Sequence, residues 1–253
     1  TSLVLIVLTF VMLYWSQMPI EWILILVFCI FTSILYFVYP NFLFIWIPCM
    51  GYLGYRSSKK KIIFSISAVV LHSLIVKFSP ILWEFGFKDY QKDRLILFLD
   101  PGRDPLGGGY HLLQSQIAIG SGGWFGSGLL KGKLTNLQFI PEQHNDFIFS
   151  ALGEELGFLG CILVVFLFFI LISQLINISK NARTDFESLI VIGIASTFLF
   201  QIIINLFMTI GLGPVTGIPL PFMSYGRTSL LVNFTCIGLA LSTLNRSRSL
   251  KNQ

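Results

Sequence analysis

The sequence predicts an all-α, polytopic helical membrane protein of about seven spans, and three observations carry that expectation. Apolar residues make up 55% of the chain and charged ones only 11%, where a soluble domain carries about 25%. The mean hydropathy is +0.79. The apolar residues stand in solid blocks, not in the alternating segments of about ten residues that build a barrel.

The blocks place spans at 1–15, 20–38, 42–55, 62–83, 147–178, 188–212 and 226–244. The chain opens on Thr1 and is apolar from the start, so its first segment reads as the remainder of a helix whose start is absent. No basic leader or small-residue cleavage site marks a signal peptide. The third segment is short for a hydrocarbon layer of about 30 Å. One integral membrane domain, 1–253, then holds spans 1–4 within 1–83, a large loop at 84–146, spans 5–7 within 147–244 and a tail at 245–253.

Charge gives the expected orientation. Basic residues gather at 56–61 (Arg-Ser-Ser-Lys-Lys-Lys), at Lys180 and Arg183, and at Arg246, Arg248 and Lys251. An alternating path puts these segments on one side, which the positive-inside rule makes cytoplasmic. The 84–146 loop and the 213–225 loop then face outward, and the C-terminus is cytoplasmic. The net charge of +5 is thus spread over topology signals and predicts no nucleic-acid partner. Cys29, Cys49, Cys161 and Cys236 lie in apolar runs without Cys-x-x-Cys spacing; they read as small core residues.

The outer loop holds seven of the twelve acids: Glu84, Asp89, Asp93, Asp100, Asp104, Glu142 and Asp146. Pro101, Pro105 and Gly107–Gly109 make turns. "YHLLQSQIAI" then reads as helix, and "GSGGWFGSGLL" as a glycine-rich segment that lies on the membrane or re-enters it. Its glycines allow close backbone approach or leave N–H groups open to an anion. In "GPVTGIPLPFMSYGRTS", Pro214, Pro219 and Pro221 forbid regular helix. Irregular backbone at membrane depth must pack in protein or line a wet cavity. The two irregular outer elements are therefore expected to meet around an outward-facing site.

Three stretches, "YQKDRLILFLDPGRDPLGGGYHLLQSQIAIGSGGWFGSG", "FIPEQHNDFIFSALGEELGFLG" and "GIPLPFMSYGRTSLL", together resemble the SEDS family (shape, elongation, division and sporulation). "GYHLLQS" and "AIGSGG" resemble its RodA branch more than its FtsW branch. The likeness covers about 90–244. The opening residues resemble the stretch just after the family's Gln-Pro-Asp-Leu-Gly motif, which implies that the family's N-terminal half is missing. Two departures stand out. Between the opening span and "YQKDR" stand three spans, 20–38, 42–55 and 62–83, where the family has room for about one. Arg227 replaces a glycine in the family's Ser-Tyr-Gly-Gly stretch.

The resemblance implies a peptidoglycan glycosyltransferase that polymerises glycan strands from lipid II in a bacterial cytoplasmic membrane, in cell elongation and rod-shape maintenance. It implies a class B penicillin-binding transpeptidase as partner. A sugar 4-hydroxyl attacks an anomeric carbon and undecaprenyl pyrophosphate leaves, with inversion. That chemistry needs a carboxylate as base and positive charge for the leaving pyrophosphate.

Asp146 matches the family's key aspartate and sits where the loop meets the fifth span. The residues alone also read it as an N-terminal helix cap. Arg94, in Tyr-Gln-x-x-Arg, is the first choice for the phosphates. Further expected substrate contacts are Arg103, Gln114, Ser121, Lys131, Lys133, Glu142, His144, Ser224 and Arg227. Glu154 and Glu155 fall two turns inside the fifth span and should have partners, Arg227 or a loop lysine for Glu155. With Gly122, Gly123, Pro219 and Pro221 they read as supporting structure. No protein-only metal cage shows; a divalent cation, Mg²⁺ or Mn²⁺, shared with substrate phosphates is compatible. His72 reads as a satisfied core histidine, and Lys77 as snorkelling. The competing expectations are a lipid II flippase and a non-catalytic scaffold for the transpeptidase.

Overall fold

A computed structural model describes residues 2–57, 61–81, 83–84, 92–94, 97–98, 108–137, 139 and 143–251. Its helices are α1 (Ser2–Trp15), α2 (Ile20–Val38), α3 (Leu43–Ser57), α4 (Lys61–Ile81), α5 (Gly108–Gly122), α6 (Lys133–Asn136), α7 (Ile148–Lys180), α8 (Asp185–Ile210) and α9 (Arg227–Lys251), with a 3-10 turn at Pro40–Phe42. No strand occurs among the described residues. All seven apolar segments are helical, and the protein is a multi-pass helical membrane protein. Five helices, α2, α4, α7, α8 and α9, are long and apolar enough to cross a bilayer. α1 and α3, with 14 and 15 residues, rise only about 21–23 Å and fall short of that measure.

The chain divides into two units, residues 9–89 and residues 1–8 with 90–253. In the first, α2, α3 and α4 pack together. Gly54 of α3 lies so near α4 that a Cβ would come 2.7 Å from the Phe64 carbonyl oxygen. A polar cluster pins the three helices: Trp46 Nε1 donates to Thr32 Oγ1 at 2.9 Å, and that hydroxyl lies 2.7 Å from His72 Nδ1. His72 is fully buried, and its Nδ1 has the partner expected of a core histidine. Its Nε2 has none among the described residues. Lys77 is exposed. Cys161 is buried, as a core residue should be, whereas Cys49 is exposed; all four cysteines are free thiols.

In the second unit, α7 and α8 form a hairpin, with α5 and α9 packed on both. Thr184 caps α8 by accepting from Glu187 N–H at 3.2 Å, and Gly211 ends it in the left-handed conformation. α8 is the most enclosed helix: Val191, Ala195, Phe198, Ile202 and Met208 are all buried. In lipid the gain comes from close packing more than from hydrophobic transfer. Gly193, Ala195 and Ser196 supply the small residues this requires. At the far end Arg246 reaches Glu187 at 3.4 Å, so one expected topology signal also ties α9 to α8.

α7 is not one straight span. Its 33 residues would run about 50 Å, against about 30 Å of hydrocarbon. It breaks at Gly157, where φ is 66° and ψ is −166°. The break leaves two carbonyls and two N–H groups without helical partners, and the glycine-rich loop supplies all four. Ser127 N–H donates to Glu154 C=O and Gly128 N–H to Glu155 C=O, both at 3.0 Å. Phe158 N–H donates to Gly123 C=O at 2.9 Å and Leu159 N–H to Trp124 C=O at 3.2 Å. This meets the rule that irregular backbone at membrane depth is satisfied inside protein. The expected close approach holds: a Cβ on Gly122 would collide with the Gly153 carbonyl. The Gly126, Ser127 and Gly128 N–H groups are already bonded, so these three are not open to an anion.

Candidate functional site

The site is built where the turn before α7 meets the irregular segment after α8. Pro214, Pro219 and Pro221 keep residues 213–225 out of regular helix. Two bonds join this segment to the turn directly, and a buried amide on α8 bridges the two. Ser224 Oγ donates to Asn145 C=O at 2.6 Å, and Tyr225 N–H donates to His144 C=O at 2.7 Å. Asn205, fully buried on α8, donates through Nδ2 to Asp146 C=O at 2.9 Å and to Ile218 C=O at 2.8 Å. The turn before α7 and the 213–225 segment therefore meet, whereas the glycine-rich stretch expected to meet this segment bonds to α7 at its break.

Their meeting leaves a cavity of about 270 Å³ lined by Arg94, His111, Leu112, Asp146, Phe147 and Val215, among others. Asp146 is half-buried. Phe147, not Asp146, occupies the N-cap of α7, and it makes no side-chain cap hydrogen bond. Arg94 Nη1 donates to Thr216 C=O at 2.9 Å. The same segment brings Arg94 and Asp146 together. Gly217 has φ +69°, and a Cβ there would stand 3.2 Å from Asp146 Oδ2 and 3.9 Å from Arg94 Nη1. Among the described residues, the cavity thus presents a carboxylate and a guanidinium against apolar walls, the pairing a proton-accepting step beside an anionic leaving group requires.

Two residues that the sequence reading missed belong here. His111 lies on the cavity and stacks on Phe147, with ring centroids 6.2 Å apart and planes at 11°. Its Nδ1 is buried without a partner among the described residues. His111, Ser115 and Ala118 follow helical spacing, and the last two are fully buried, so the inner face of α5 was legible. Asn205 was marked too, as an amide within the apolar run of α8.

Several expected contacts fall elsewhere. Ser224 is 3% exposed, and its hydroxyl already accepts from Leu220 N–H and donates to Asn145 C=O. It ties the 213–225 segment to the turn before α7. Gln114 is half-buried on α5 and does not line the Asp146 cavity. Ser121 bonds its own helix at Ala118 C=O. Lys131, Lys133 and Arg227 are exposed and line neither this cavity nor the one beside His144. His144 faces that second cavity. Arg103 and Glu142 lie outside the described residues.

Glu154 is the buried polar anchor expected, at 3% exposure, and it has partners. Its carboxylate accepts from Leu134 N–H at 2.8 Å, Thr135 N–H at 2.9 Å and Thr135 Oγ1–H at 2.6 Å, at the start of α6. Backbone N–H groups at a helix start satisfy a carboxylate as well as an ammonium does. Glu155 pairs with neither Arg227 nor a loop lysine among the described residues. Among those residues no group of three or more His, Cys, Asp or Glu could hold a metal.

Residues 57–249 match the FtsW/RodA/SpoVE family of cell cycle proteins. The chain belongs to this family. Over 169 residues it is 43% identical to the peptidoglycan glycosyltransferase MrdB of Escherichia coli (strain K12), covering 67% of this chain and 46% of that protein. Over 190 residues it is 40% identical to the peptidoglycan glycosyltransferase RodA of Treponema pallidum (strain Nichols), covering 75% and 44%. It is 41% identical over 159 residues to stage V sporulation protein E of Bacillus subtilis (strain 168), covering 63% and 43%. A chain of a solved peptidoglycan synthase complex, described as coordinating polymerization and crosslinking, superposes with a TM-score of 0.56 at 30% identity. It covers 71% of this chain and 48% of that one. The chain spans about half the length of the curated relatives it matches. The FtsW/RodA/SpoVE match takes in α4 to α9 and begins at residue 57, so α1, α2 and nearly all of α3 lie outside it. The surplus helices expected before the outer loop therefore fall where the family does not reach.

Proposed function

We propose that this chain carries the polymerising site of a peptidoglycan glycosyltransferase acting on lipid II. The observation that carries the reading is the cavity in which Asp146 and Arg94 close around Gly217. In the reaction, Asp146 takes the proton from an acceptor sugar 4-hydroxyl. The freed oxygen forms a bond to the anomeric carbon of the donor disaccharide. The bond from that carbon to the pyrophosphate oxygen breaks, and the electron pair leaves with undecaprenyl pyrophosphate. Arg94 offsets the charge that develops on the leaving phosphates, by a fork of N–H donors matched to them. A divalent cation, where bound, adds positive charge at the same oxygens. Attack and departure on opposite faces invert the anomeric centre.

The likeness to RodA wording around "GYHLLQS" favours a role in elongation and rod shape. The similarity to a chain of a peptidoglycan synthase complex favours a class B penicillin-binding transpeptidase as partner. The basic loops favour a cytoplasmic-membrane location with the C-terminus inside. The polar density on the outer face weighs against a lipid II flippase, which would need charges along a transbilayer path.

The test is the full-length protein with lipid II in detergent, with glycan chains read by gel electrophoresis. Polymer is expected, and Asp146→Asn should lower its rate by about 10²–10⁴-fold. Lipid II movement across vesicles with no polymer would sink the reading, as would an Asp146→Asn protein of undiminished rate.

A further inference from the structure

A second cavity, of about 520 Å³, is walled by the same turn but shares no lining residue with the Asp146 cavity. Thr135, Asn136, Gln143, His144 and Glu155 give it polar groups, and Leu129, Leu152, Leu156 and Met223 lie among its apolar ones. Gln143 is 6% exposed. Its Nε2 lies 3.4 Å from His144 Nε2, and its Oε1 has no partner among the described residues. Whichever way the amide is turned, one end is left unmatched. A buried amide group without a partner is costly and calls for a ligand or water. Glu155 adds a half-buried carboxylate that makes no hydrogen bond or ion pair among the described residues.

These groups select a chemistry. An ionised carboxylate only accepts hydrogen bonds, so it favours a ligand rich in O–H and N–H donors and repels phosphate. Amide, hydroxyl and imidazole groups set against Leu and Met walls suit a molecule with polar edges and apolar faces. An N-acetylated sugar has both. The second cavity also lies close to the Asp146 cavity. Residues 143–144 wall one and 146–147 the other, and consecutive Cα atoms stand about 3.8 Å apart.

Resting on the polymerase reading, we propose that this second cavity holds a saccharide unit of the glycan strand while the adjoining unit reacts at Asp146. Glu155 is its hydroxyl acceptor, and Gln143 and His144 flank it.

The test is isothermal titration of the full-length protein in nanodiscs with a lipid-free tetrasaccharide of alternating N-acetylglucosamine and N-acetylmuramic acid. Binding is expected. Glu155→Gln should weaken it by about tenfold or more, the worth of one charged hydrogen bond. Leu129→Trp, at a position 68% exposed on the cavity wall, should narrow the cavity and weaken binding without disturbing the core. No binding to folded protein, or unchanged affinity in both Glu155→Gln and Leu129→Trp, overturns the proposal. Polymer formation without tetrasaccharide binding sinks this site alone. Binding that meets these expectations in a protein that makes no polymer sinks the polymerase reading and leaves the saccharide site standing.

Discussion

Asn205 Nδ2 donates a hydrogen bond to the Asp146 carbonyl at 2.9 Å from a fully buried position on α8. The same amide holds the Ile218 carbonyl at 2.8 Å. One side chain inside the helix bundle thus fixes both the residue proposed as base and the segment that brings Arg94 to it. Removing it with Asn205→Ala leaves two buried carbonyls without this donor. The loss should cost about 2–4 kcal/mol, read as a lower unfolding temperature in detergent, and polymerisation should fall with it.

Gly217 offers the opposite test, a large effect on chemistry with a small one on stability. Its φ of +69° costs an alanine about 1–2 kcal/mol. The added methyl would stand 3.2 Å from Asp146 Oδ2 and push the carboxylate aside. Gly217→Ala should lower kcat by about tenfold or more through misplacement, approaching the effect of a ~1 Å error. The unfolding temperature should move little.

At Gly157 the effect should be on folding itself. A Cβ there collides with the backbone of Trp124, Phe125 and Gly126, the stretch that satisfies the broken turn of α7. Gly157→Ala should abolish the monodisperse peak in size-exclusion chromatography, a loss beyond about 3 kcal/mol. Gly120→Ala is the control. A Cβ there meets nothing within 4 Å, and helix propensity should make it neutral or stabilising by up to about 1 kcal/mol.

Glu154 is expected to hold the 129–137 segment in place. Glu154→Gln keeps the volume but turns an N–H₂ group toward donors that need an acceptor. The cost should be about 2–3 kcal/mol. Limited proteolysis should then cut near α6, which wild-type protein resists. An unchanged digestion pattern would show that the carboxylate's three bonds do not order that segment.

Long apolar blocks fixed where helices lie, because in lipid an apolar run must close its own backbone bonds. All seven segments could be read this way, and Asp146 could be picked out at the boundary of the fifth. The same reasoning failed at the helix break. "EELGFLG" reads as continuous helix, and only the partners offered by Gly123–Gly128 make a left-handed Gly157 tolerable. It failed again at Glu154. A partner was expected there but could not be named, and the fold supplied N–H groups from residues about twenty positions away.

By itself, the sequence determined that this is a multi-pass helical membrane protein with a long polar loop before its fifth apolar segment, and the resemblance to a family marked Asp146 at the end of that loop. Hydropathy and charge act locally, so they are written along the chain. Only the tertiary structure decided which polar groups meet. It set Arg94 and His111 on the Asp146 cavity, turned Ser224 inward, sent Gln143 and Glu155 to a second cavity, and made Asn205 the tie beneath them. Those outcomes depend on hydrogen bonds between segments as far apart as Arg94 and Thr216, and no local pattern encodes such a pairing.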